Sequence, residues 1–169
     1  MMNLGSRLFA CLFGGWLVFA STLVLGADDP VRSGTGSSGP GKKAVLSDRS
    51  SGTYYDSRGS FSGRSQASGQ STRLYDGRGG YAGRVQASSE DKVRLYDARG
   101  SLAGRAETSG SNTRYYDSKG SFSGRSSSSG NTTRFYDGKG SYSGRAETSG
   151  STTRYYDGSG RYVGSKRKK

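Results

Sequence analysis

Arginine and tyrosine recur in this chain at spacings that can build one charged, aromatic surface. An arginine follows the second glycine of a repeated motif at Arg64, Arg84, Arg105, Arg125 and Arg145. Another precedes an aromatic pair at Arg73, Arg94, Arg114, Arg134 and Arg154. Beside them stand Tyr75, Tyr96, Tyr116, Tyr136 and Tyr156. A guanidinium offers planar, paired donors to carboxylate or phosphate and also stacks on aromatic faces. In an ordered array these residues form ladders that can hold anionic polymers and stack on sugars or bases. The plainer reading makes them solvated strand residues that protect edges and maintain solubility.

Other chemistry is poorly supplied. The chain has no His, which removes imidazole from every mechanism and every metal site. Its one Cys, Cys11, cannot close an intramolecular disulfide or build a thiolate zinc site. Asp recurs once per repeat, but with Lys or Arg usually two positions later it makes a poor cage for a hard cation, and turn formation explains it better. Glu90 and Asp91 are adjacent but lie in a connection. We expect no catalytic residues, no metal and no cofactor.

The positioning elements follow from the order of the chain. Arg7 is the only charge among residues 1–27, and Leu8 to Ala27 is an uninterrupted uncharged stretch ending in small residues. That pattern reads as a secretory signal peptide, with cleavage after Gly26 or after Ala27. The rival reading is an uncleaved anchor, since about 20 apolar residues can span a bilayer. Cys11 resembles a lipobox cysteine only superficially, because the apolar run continues beyond it. Removal of the leader leaves 25 positive and 13 negative side chains, a charge of +12 against +13 for the whole chain. Residues 28–52 contain both prolines, Pro30 and Pro40, and are rich in Gly and Ser, which marks a flexible linker.

From Thr53 the chain repeats itself. Tyr-Asp recurs at Asp56, Asp76, Asp97, Asp117, Asp137 and Asp157, with spacings of 20, 21, 20, 20 and 20. A fixed period of this size signals a repeat architecture. Each unit reads as a β-hairpin: a Thr-Arg-aromatic-Tyr strand, an Asp-x-x-Gly turn, and a return strand through Gly-Arg. A helix reading fails, because two or three glycines per unit would each cost roughly 1 kcal/mol. The expected fold class is all-β, with six hairpin repeats of about 20 residues in a radial, flower- or propeller-like array or in a solenoid. Residues 53–164 hold the repeats and 165–169 a frayed basic tail.

Register decides the faces. A turn with a glycine bulge sets Tyr136 opposite Tyr142 and Phe135 opposite Ser143. A tight two-residue loop sets Phe135 opposite Tyr142. The bulged form suits Asp and Gly better. The core is then expected from two columns, Tyr54, Leu74, Leu95, Tyr115, Phe135 and Tyr155 with Phe61, Tyr81, Leu102, Phe122, Tyr142 and Tyr162. The Tyr55, Tyr75, Tyr96, Tyr116, Tyr136 and Tyr156 column is left free for contact. The recurring glycine, as at Gly144, is expected to let an aromatic ring lie on bare backbone.

The motif Tyr-Tyr-Asp-x-x-Gly-x-aromatic-x-Gly-Arg resembles two bacterial repeat types across residues 53–164. One is the YD repeat of Rhs-like surface and toxin-delivery proteins, although the Arg expected after the first Gly is mostly Ser here (Ser60, Ser101, Ser121 and Ser141), with Arg161 the exception. The other is the small β-flower type, whose spacing matches Asp117, Gly120, Gly124 and Arg125. Both resemblances imply a non-catalytic, β-rich exported module, and neither implies a ligand. Choline-binding-type repeats have a similar period, but their tryptophans are missing, as Trp16 lies in the leader.

Three functions compete on these grounds. The first is a periplasmic or secreted binding module of the cell envelope that contacts anionic polymers. The second is a structural or protein-interaction accessory of a secretion or conjugation apparatus. The third is a disordered Arg/Gly/Tyr-rich nucleic-acid binder. Membrane association is expected only through an uncleaved leader.

Overall fold

The computed structural model describes residues 50–169. The leader, Cys11 and residues 28–49 of the linker lie outside the described residues. Twelve strands follow one another: β1 (Gly52–Asp56), β2 (Phe61–Ser68), β3 (Ser71–Asp76), β4 (Tyr81–Ser89), β5 (Lys92–Asp97), β6 (Leu102–Ser109), β7 (Asn112–Asp117), β8 (Phe122–Ser129), β9 (Thr132–Asp137), β10 (Tyr142–Ser149), β11 (Thr152–Asp157) and β12 (Tyr162–Lys168). Each pairs antiparallel with its sequence neighbours, and β12 returns to pair with β1. The six hairpins therefore close into one barrel. They are not stacked as an open solenoid. A disordered segment, as the nucleic-acid alternative requires, is not what residues 50–169 form.

The Asp-x-x-Gly chemistry makes each hairpin. In the fifth, Gly140 N donates to the Asp137 carbonyl at 3.0 Å, and Asp137 N donates to the Ser141 carbonyl at 2.9 Å. Gly140 sits at φ +86°, which a side chain would resist. Asp137 Oδ1 accepts from Lys139 N and Ser141 N at 2.9 and 2.8 Å. The same two acceptances recur at Asp56, Asp76, Asp97, Asp117 and Asp157. The Asp column is thus engaged with turn backbone. Opposite loops are two residues long, as between Ser129 and Thr132. The single 21-residue spacing adds no loop residue, because the extra residue is taken up as an irregularity in β4 between Ala87 and Ser89.

Register corrects two expectations. Tyr136 does face Tyr142, but Phe135 faces Gly144 rather than Ser143, because the pairing shifts between Tyr142 and Gly144. Ser143 is the additional residue of a bulge, which breaks the two-residue alternation of side chains. In consequence only one aromatic column turns inward. Tyr115, Phe135 and Tyr155 are buried, with Ala106, Ala146 and Val93. The second expected core column is outside: Phe61, Tyr81, Leu102, Phe122, Tyr142 and Tyr162 are 38–47% exposed. The Tyr156 carbonyl of the next strand lies where a Cβ on Gly144 would be.

The interior is small and hydroxyl-rich. Thr108 and Thr113 share a hydrogen bond at 3.0 Å, Thr148 and Thr153 another at 3.0 Å, and Tyr115 Oη meets Ser126 Oγ at 2.9 Å. These pairings satisfy polar groups that burial would otherwise penalise. The basic end of the chain is not a frayed tail, since Lys166, Arg167 and Lys168 complete β12. Lys166 is buried, with Nζ 5.8 Å from the centre of the Tyr54 ring.

Candidate functional site

Residues directly opposite in an antiparallel sheet project to the same face. The register therefore joins the two arginine ladders into pairs on the outside of the barrel. Arg73 faces Arg84, Arg94 faces Arg105, Arg114 faces Arg125, and Arg134 faces Arg145. Each pair continues onto a tyrosine and then a second large side chain. Arg84 leads to Tyr96 and Leu102, Arg105 to Tyr116 and Phe122, Arg125 to Tyr136 and Tyr142, and Arg145 to Tyr156 and Tyr162. Four complete stripes of this kind run obliquely around the outer surface.

The stripes are preorganised. Guanidinium carbons lie 4.4, 4.5, 4.4 and 4.4 Å from the centres of Tyr96, Tyr116, Tyr136 and Tyr156, and Arg64 lies 4.8 Å from Tyr75. All of these rings but Tyr96, which faces Leu102, meet a second aromatic edge-on, at 6.2 Å for Tyr116 and Phe122 and 6.1 Å for Tyr136 and Tyr142. Each cation–π contact contributes about 0.5–1 kcal/mol at an exposed site. Facing like charges cost a similar amount in the opposite direction. Stacking fixes one arginine of each pair (Arg84, Arg105, Arg125 and Arg145) over the tyrosine of the next strand, and the register sets the other (Arg73, Arg94, Arg114 and Arg134) across from it. An anion between the two would relieve that repulsion.

Acidic neighbours divide the stripes. Arg145 Nε donates to Glu147 at 2.6 Å, and the Arg105 guanidinium lies 3.5 Å from Glu107. The Glu147 bond is the main cause that raises the Arg145 pKa further above its ordinary value. Gln86 and Ser127 take the corresponding places beside Arg84 and Arg125, so those two carry no such counter-charge. Arg84 Nε is buried with no hydrogen-bond partner among the described residues.

Two of the expected arginines are not paired with a second one. Arg64 faces Thr53, and Arg154 faces Ser165. Both interruptions flank the β1–β12 junction, where Ser165 stands opposite Tyr55 in place of an arginine. Sequence reasoning found every arginine and tyrosine of the stripes but missed that the ladders merge, that Glu107 and Glu147 neutralise two of them, and that the second aromatic column joins the surface. The only local signal was the constant 11-residue separation, as from Arg134 to Arg145.

The outward mid-strand positions carry arginine pairs, where a transmembrane barrel carries an apolar band. Among the described residues no helix is long and apolar enough to cross a membrane, and no group of His, Cys, Asp and Glu could hold a metal ion.

No protein-family model matches this chain, and no curated protein matches it in sequence. A crystal structure of a protein from Arabidopsis thaliana shows similarity at 10% identity and a TM-score of 0.45, covering 73% of this chain and 86% of that one.

Proposed function

We propose that the protein is an exported, non-enzymatic binding module of the cell envelope that holds anionic polymers on the outer face of its barrel. The observation that supports this reading best is the set of four cross-strand arginine pairs, each braced by a neighbouring side-chain stack. Two like charges kept face to face on an exposed sheet lower stability, and a polyanion converts that cost into affinity. The apolar leader at residues 1–27 supports export, to the periplasm or beyond it. A formal charge of +13 favours polyanions over neutral partners at long range. The resemblance to YD-repeat and β-flower proteins is compatible with the same role.

Retention of the full chain on a sulfated-polysaccharide resin across a salt series tests the proposal. Binding at low salt that weakens steadily as salt rises is the expected result. No retention at low salt would overturn it. Arg73→Gln combined with Arg84→Gln, which empties one pair without a Glu beside it, should elute at markedly lower salt.

A second reading has its own support. The exposed Phe61, Tyr81, Phe122, Tyr142 and Tyr162 are residue types enriched in protein interfaces, and arginine accompanies them there. A stoichiometric protein partner that stays bound at high salt would favour an accessory role in a secretion or conjugation apparatus.

A further inference from the structure

The stripes have a spacing and two ends, and these narrow the ligand. Along β5, Tyr96 faces Arg84 and Arg94 faces Arg105, so successive arginine pairs are offset by two residues along a strand and two strands across. At ~3.3 Å per residue and ~4.8 Å per strand, neighbouring pairs stand about 12 Å apart. Duplex DNA carries one charge per ~1.7 Å of its axis, so most of its phosphates would meet no pair. A polysaccharide with one acidic group per disaccharide has a charge repeat of the same order as the pair spacing. Its pyranose C–H faces also suit the electron-rich faces of Phe122, Tyr142 and Tyr162, which stand exposed beside the pairs.

We propose, resting on the reading of this face as an anionic-polymer site, that the ligand is an acidic polysaccharide with one carboxylate or sulfate per disaccharide. It seats one disaccharide per complete stripe, more weakly at Arg105 and Arg145, whose charges Glu107 and Glu147 already meet. The track is a line of four and not a ring. Arg154 meets Ser165 at one end and Arg64 meets Thr53 at the other, so no arginine pair bridges the β1–β12 junction.

Calorimetric titration of the full chain with size-defined hyaluronan oligosaccharides tests this, since hyaluronan carries one carboxylate per disaccharide. Affinity should rise with each added disaccharide up to four and then level off. Ser165→Arg completes a fifth pair and should move the plateau to five. The Arg73→Gln, Arg84→Gln double variant removes a terminal pair, should move the plateau to three, and should weaken the four-disaccharide ligand at least tenfold. Circular dichroism confirms that each variant keeps its strands. If oligodeoxythymidylate of equal length binds more tightly than hyaluronan, or if neither variant moves the plateau, the proposal fails while the wider polyanion reading stands. If no polyanion binds at low salt, both fail.

Discussion

Burial and hydrogen bonding set the ionisation of single residues, and two cases can be read out directly. The Tyr115 phenol is held inside the barrel, and loss of its hydration pushes its pKa well above the ordinary tyrosine range, with the Ser126 hydroxyl offsetting part of the rise. A folded pKa above the unfolded one means that the contribution to stability is complete below pH ~10 and is lost as pH climbs beyond it. Ultraviolet titration of tyrosinate should therefore show a late step coincident with unfolding, and Tyr115→Phe should lower the number of tyrosines titrating in that step by one while keeping the fold, since Phe135 fills the equivalent place. Asp157 behaves in the opposite sense. The backbone N–H of Arg161 holds its carboxyl below the usual range, desolvation opposes this, and the Arg161 side chain adds to the lowering, donating from Nε at 3.0 Å. Its contribution is present above pH ~4 and is lost as pH falls through the folded value. Arg161→Ser, which restores the residue found at this place in four other repeats, should raise the Asp157 midpoint measured by carboxyl NMR.

At the scale of the hairpin, the turn and the return strand answer to different constraints. Asp137→Ala removes an acceptor for two backbone N–H groups and should cost about 1 kcal/mol in denaturant unfolding, with Asp137→Asn milder. Gly144→Ala should cost more, about 2 kcal/mol or above, because φ is +150° and the added methyl would collide with the Tyr156 carbonyl. These elements differ in how far the residue types reveal them. Asp-x-x-Gly acts within five residues, so the turns, the six hairpins and the Tyr136–Tyr142 pairing were legible. The placement of Tyr142 was not. Strict alternation puts Tyr142, Gly144 and Ala146 on one face, and the bulge at Ser143 turns Tyr142 outward to join Arg145. Nothing local to Tyr-Ser-Gly-Arg announces that shift. The arginine pairs were hidden for a related reason, since Arg134 meets Arg145 only once the register across the turn is known.

For the molecule as a whole, closure is the property that near-identical repeats do not encode in themselves. Any unit has edges that could pair with any other, and an open array of hairpins would satisfy the same local rules. Two departures from the repeat fall where the ends meet. Ser165 replaces an arginine, and Lys166 replaces the Ala or Ser found at the inward position in repeats three to five. The Lys166 stem packs against Gly52, where a Cβ would lie 2.7 Å from Lys166 Cε, so glycine at the start of β1 admits the lysine from β12. Gly52→Val should therefore weaken the junction specifically. Closure also changes how damage spreads. In an open repeat array, Gly144→Ala would loosen β10 and its neighbours and leave distant repeats protected. In a barrel every strand has two partners, and opening at β10 removes pairing that holds the ring shut as far as β1 and β12. Native-state hydrogen exchange can separate the two. Gly144→Ala should lower protection of the slowest amides in β3 and β4, on the far side of the ring, by nearly the same factor as in β9 and β11. Unchanged protection in β3 and β4 would mean that the hairpins are held independently and that the ring is not a cooperative unit.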